Sequence, residues 1–187
     1  MHWSSKELKD LFKAWLVISL AFAIATIGFS FSYKFLLAIL FSSITVGSGF
    51  LLHEIAHKFF AQRFGCWAEF RSFDLALILA LLLSFTGFVF AAPGAVFIRG
   101  RVSMSRNGVI SLAGPLTNII LVLIFLAIGK IFPFLMQLSV YGSKINAWLA
   151  LFNLIPFMPF DGSKVWMWNK LIWFLFAILA LLSFLII

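Results

Sequence analysis

The chain has 187 residues, 64% of them hydrophobic, with 25 Phe, a mean hydropathy of +1.13 and a net charge of +8. That apolar content exceeds what a soluble domain of this length can bury, so the sequence reads as an all-α polytopic membrane protein with about five or six spans. The 14 Lys and Arg are scattered through the connections rather than clustered, which argues against a nucleic-acid partner and for topology signals and contacts with the lipid bilayer.

Residues 1–13 are polar and basic, and the apolar run behind them is span-length, so no cleavable signal peptide is expected. The first apolar segment covers 11–31 and the second 35–62. Ser42, Ser43, Thr45, Gly47, Ser48 and Gly49 make the second rich in small residues, a pattern for close helix packing and a candidate wet face. Cys66, the single cysteine, excludes an intrachain disulfide and reads as an interfacial thiol. A third segment, 75–92, is short, and 93–107 alternates like a strand at Val96, Ile98, Gly100 and Val102. The fourth segment is 108–129, the fifth 145–159 and the sixth 171–187. Pro156 and Pro159 interrupt the fifth, and freed carbonyls at membrane depth are tolerated only where they face protein or water. Nothing in the composition marks a second unit, so 1–187 is expected to form a single membrane-embedded domain.

The second segment ends with His53-Glu54-Ile55-Ala56-His57, an H-E-x-x-H string. Residues four apart share a helix face, so both imidazoles can hold one metal, and Glu54 beside them can act as general base on an attacking water. With three His and three Glu in the chain, such a string arises by chance on the order of one time in a thousand, and ionisable groups at membrane depth are expensive. A catalytic zinc takes a third protein ligand. The candidates are Glu69, Asp74, Asp161, Cys66 and His2. Glu69 and Asp74 sit among polar residues where a solvated charge is expected, and Cys66 lies beyond the helix end. Asp161 alone borders a broken membrane helix, in the region 153–162, and is the expected ligand.

Three motifs together resemble the site-2 protease family of intramembrane zinc metalloproteases. They are H-E-I-A-H at 53–57, G-P-L-T-N at 114–118 and N-L-I-P-F-M-P-F-D-G at 153–162. The stretch Pro93-Gly94-Ala95-Val96 also resembles a short extended element of the family. The resemblance implies one zinc ion held by His53, His57 and Asp161, with Glu54 as general base. It implies that Asn153 contacts the substrate carbonyl and that Asn118 is a helix-packing or substrate-side residue. Relatives often carry leucine before the D-G pair, where this chain has Phe160.

If every segment crossed, Asp161 and the histidines would lie on opposite faces, separated by about 30 Å of hydrocarbon, whereas a zinc–oxygen bond is about 2 Å. Residues 75–98 are therefore expected to be re-entrant. Basic residues then divide 11 to 3 rather than 8 to 6, which by the positive-inside rule puts the N-terminus and the active site toward the cytoplasmic side, in what is read as the cell membrane. With Arg63 at the interface, helix rise puts His57 about 9 Å and His53 about 15 Å inside. The expected activity is hydrolysis of peptide bonds in transmembrane-helix protein substrates. The alternative is a membrane metal-binding or ion-transport protein, which needs the ligands but not Glu54.

Overall fold

The structure, a computed structural model, describes residues 1–89 and 93–187. It is built of helices α1 (Ser5–Ile27), α2 (Tyr33–Ser42), α3 (Ser48–Arg63), α4 (Asp74–Ser84), α5 (Met104–Ile131), α6 (Met136–Asn153), α7 (Asp161–Trp168) and α8 (Lys170–Ile186). A π-helical turn, Ser43–Gly47, joins α2 to α3 in one continuous rod from Tyr33 to Arg63. Strands β1 (Trp67–Ser72) and β2 (Gly94–Arg99) pair antiparallel.

Among the described residues, three helices are long and apolar enough to cross a membrane: Ser5–Ile27, Tyr33–Arg63 and Met104–Ile131. The remaining expected spans differ. α4 has 11 residues, about 16 Å of rise against roughly 30 Å of hydrocarbon. α8 has 17, and α6 carries Gln137, Lys144, Asn146 and Asn153 within its 18. The tail of the expected third segment, 90–92, lies outside the described residues.

The sheet register fixes where the chain goes around α4. Ser72 is paired with Gly94, and the Phe73 N–H donates to the Pro93 carbonyl at 2.9 Å, so the excursion leaves and returns at one point. β1 has no counterpart in the sequence reading, which took its polar residues for a solvated connection. Phe70 is instead fully buried and stacks edge-on against Phe50 of α3. The strand-like stretch 93–107 is a strand only to Arg99, because Ser103 caps α5 by accepting the Arg106 N–H at 3.3 Å.

Packing follows the small residues. A Cβ at Gly47 would stand 2.6 Å from the Trp15 indole nitrogen, and one at Gly49 would stand 2.4 Å from Asn146 Oδ1. Helix association in lipid depends on such close approach. One apolar cluster joins α1, α3 and β1 through Leu11, Ile18, Phe50 and Phe70, and another joins α5 to α8 through Ile119, Ala150, Val165 and Ala180. α6 ends at Asn153, earlier than the expected segment, and the Leu154 carbonyl, free of the helix and buried, accepts the Trp173 indole N–H at 2.7 Å. A carbonyl beyond the helix end is thereby satisfied within the protein.

Candidate metal centre and active site

The π-turn sets the face on which the zinc motif is presented. Its extra residue gives an i→i+5 bond from the Ser48 N–H to the Ser43 carbonyl, and the Trp15 indole N–H donates to the same carbonyl at 3.2 Å. One and a half turns later His53 and His57 lie side by side, with ring centroids 4.6 Å apart and planes at 84°. Their Nε2 atoms are 3.0 Å apart.

Asp161 arrives from the other end of the chain as the first residue of α7. Its Oδ2 is 3.3 Å from His53 Nε2 and 3.0 Å from His57 Nε2. Gly162 permits this turn, since a Cβ there would stand 2.2 Å from the Leu154 carbonyl oxygen. Lys164, one turn on, approaches the other Asp161 oxygen at 3.5 Å.

The far side of each imidazole is fixed by α5. His57 Nδ1 donates to the Ile110 carbonyl at 2.7 Å, and His53 Nδ1 donates to Asn118 Oδ1 at 2.6 Å. A carbonyl only accepts, so both Nδ1 atoms carry hydrogen and both Nε2 lone pairs face Asp161. Gly114 closes the fourth side. A Cβ there would be 2.5 Å from His53 Nε2 and 2.6 Å from His57 Nε2, so the glycine leaves clear the space on which the three donor atoms converge.

The donor set fits zinc. Tetrahedral ligands at about 2.0–2.1 Å from an ion stand about 3.3 Å from one another, close to the 3.0–3.3 Å separations here. Among the described residues, the group of His, Cys, Asp or Glu side chains able to share an ion is His53, His57 and Asp161.

The other sequence candidates are engaged elsewhere. Glu69, expected to be solvated, is buried. It accepts from the Ser4 hydroxyl and pairs with Arg71 at 2.8 Å, and these partners, Ser4 first, hold its carboxyl below the usual range. Asp74 is exposed and meets Lys13 at 2.5 Å. His2 bonds through its backbone to Gln62 at 3.1 Å. Cys66, expected to be interfacial, is buried and packs by Gly100.

Glu54 is buried and lines the same cavity of about 310 Å³ as both histidines, Asp161, Asn153 and Lys164. Phe70, opposite Val96 in the ladder, gives its N–H to Glu7 Oε1 at 2.9 Å; the pair exchanges no ladder bond, and the polar groups of Val96 point outward, away from β1. Asn153 donates to the Leu149 carbonyl of its own helix at 2.9 Å. Asn118 is fully buried behind His53. Lys164, Ile110 and Gly114 were not singled out as contributors, although Gly114 lies inside the G-P-L-T-N motif.

No family model and no solved structure matches the chain. It is 42% identical over 164 residues to "Putative zinc metalloprotease MJ0611" of Methanocaldococcus jannaschii, covering 84% of this chain and 86% of that protein. It is 27% identical over 166 residues to "Zinc metalloprotease MJ0392" of the same organism, spanning 40% of that longer protein. It is 29% identical over 143 residues to "Putative zinc metalloprotease YwhC" of Bacillus subtilis, covering 65% of each. At that identity and coverage the chain belongs to the zinc metalloprotease family of the first of these relatives.

Proposed function

We propose that the chain is an intramembrane zinc endopeptidase of the site-2 protease type, cutting transmembrane helices of other proteins. The observation that carries this reading is the convergence of Asp161, at the start of α7, with His53 and His57 of the apolar, span-length rod, the three ligand atoms within 4.8 Å of one another and Glu54 in the same cavity. In this reading His53, His57 and Asp161 hold one zinc ion. A bound zinc would supply Lewis-acid polarisation of the scissile carbonyl and acidify water.

The chain's own residues do the rest. Glu54 takes the proton of the attacking water and returns it to the leaving amine. Asn153, at the cavity wall, turns its amide from Leu149 to the substrate backbone. Asn118 serves His53 from behind. The outward edge of β2 offers an unwound substrate segment a strand to pair with.

The topology that goes with this activity has 1–187 as a single unit, with α1, the rod from Tyr33 to Arg63, α5, α6 and α8 crossing and the segment around α4 re-entrant. The return of the chain at Ser72 and Gly94 supports it, as does the meeting of α3 and α7. So do the basic–aromatic pairs Arg99 on Trp67, Arg106 on Phe64 and Lys170 on Trp166, the residue types favoured at a membrane interface, which in this reading is the N-terminal, cytoplasmic side of the cell membrane.

The test is cleavage of single-span substrates by purified protein, wild type against Glu54→Gln, with zinc measured in both. Activity should fall about 10²–10⁴-fold while zinc stays bound. Full activity in the variant would remove Glu54 as base, and zinc loss in it would reassign Glu54 to the metal.

A further inference from the structure

Asn146 of α6 belongs to none of the motifs, yet it is fully buried in the middle of the bundle. Its Oδ1 accepts from Asn118 Nδ2 at 2.9 Å, and its Nδ2 donates to the Gly142 carbonyl at 2.9 Å. Gly49 makes room for it.

Asn118 has one amide oxygen and two N–H hydrogens. Its nitrogen is held by two acceptors, Asn146 Oδ1 and the Gly49 carbonyl at 3.2 Å, so the oxygen is left to face His53 Nδ1. Turned over, the amide would set its oxygen against both acceptors and its N–H against His53. The imidazole would then be pressed toward the tautomer whose Nε2 carries hydrogen, and a protonated nitrogen is no ligand. Asn146 needs its own nitrogen for Gly142, which leaves its oxygen for Asn118.

We propose that Asn146 is a positioning residue for the metal centre: acting through Asn118, it fixes the His53 tautomer that presents Nε2 to the ion. The donation runs from His53 Nδ1 to Asn118 Oδ1, from Asn118 Nδ2 to Asn146 Oδ1 and from Asn146 Nδ2 to the Gly142 carbonyl, which can only accept and so settles the direction of the chain. The proposal rests on the metal-site reading above.

The test is a double-mutant cycle read by zinc affinity, using competition with a chromophoric chelator on the full-length purified protein. Asn118→Leu should weaken zinc about 10–100-fold, the range for outer partners of metal ligands, and Asn146→Leu about tenfold. In the Asn118→Leu background Asn146→Leu should cost nothing further, because the effect travels through the amide already removed. Asn146→Asp, which keeps an oxygen toward Asn118, should retain the affinity. Should Asn146→Leu not fold, Asn146→Ser, whose hydroxyl is one bond shorter, carries the same expected loss. Unchanged affinity in the Leu or Ser variant, equal loss in Asp, or additive losses in the double variant would overturn the relay. A wild type that binds no zinc would overturn the metal reading itself, which the cycle separates from a failure of the relay.

Discussion

Two buried polar clusters lie against consecutive residues of α3, and they are built on opposite principles. On one side Lys58 and Glu7, both fully buried, form an ion pair; the second Glu7 oxygen accepts the Phe70 N–H, and the ammonium sits 4.2 Å over the Trp3 ring. One anion, one cation and one N–H close the account of charge and hydrogen bonds. On the other side the two Nε2 atoms and Asp161 Oδ2 stand 3.0–3.3 Å apart as three acceptors, each held to that role by its neighbours. Acceptors gathered this way are favourable only around a cation. A balanced cluster ties α1, α3 and β1 together; an unbalanced one is suited to holding a metal ion. The distinction lies in donor arithmetic more than in burial, which is complete for Glu7 and Lys58 and slightly less for the histidines and Asp161.

Breaking the balanced cluster has the largest expected effect. Lys58→Met leaves Glu7 buried without its cation, which costs about 3–5 kcal/mol. Glu7→Leu combined with Lys58→Met should cost less than Lys58→Met alone, since no lone charge remains. Denaturant unfolding of the three proteins checks this, and the double variant should still bind zinc. If the double variant were the least stable, the pair would be worth more than its desolvation, and the comparison between the clusters would need redrawing.

Gly114→Ala probes the other cluster. The new methyl group would enter the space between both Nε2 atoms, so zinc affinity should fall by about 100-fold or more, at or beyond the loss expected from removing an outer partner. The imidazoles must shift to admit it, so the metal-free protein should also lose about 1–3 kcal/mol, partly offset by the ~1 kcal/mol by which alanine favours a helix interior over glycine. Zinc content together with the melting temperature of metal-free protein separates the two effects; unchanged zinc affinity in a variant that melts early would mean that the glycine serves packing alone.

How much of this was legible follows from how local each signal is. His53, Glu54 and His57 announce themselves because helical spacing is written in adjacent residues. Asp161 could be chosen because it follows two prolines in an apolar tract. The expectation of a non-crossing segment came from requiring those ligands to meet; the pairing of Ser72 with Gly94 brings the two ends of the intervening chain together. β1 left a faint trace, the alternation of buried Ala68 and Phe70 with polar Glu69 and Arg71, but six residues with two charges also read as a loop. Asn146 left none. It contacts Asn118 across 28 residues of chain, and a side chain that meets another helix has no period to betray it. Glu7 carries no local signal either, because its partners, Lys58 and Phe70, lie 51 and 63 residues away.

The smallest expected effect belongs to a third cluster, on the same side of the molecule, where Ser4 does two jobs. Its oxygen accepts the Glu7 N–H at 3.1 Å as the cap of α1, and its hydroxyl donates to Glu69. The lost cap makes Ser4→Ala destabilising by about 1 kcal/mol at any pH. The Glu69 part depends on pH. That carboxyl is held below its usual range by Ser4 and then Arg71, so its contribution is complete above the ordinary carboxylate value of about 4.3 and disappears as pH falls through the lowered one. The stability gap between wild type and Ser4→Ala should therefore be widest near neutrality and narrow to the cap alone in acid. A gap for Ser4→Ala that stayed constant from neutrality into acid would mean that Ser4 acts on α1 alone and that Glu69 owes its low value to Arg71.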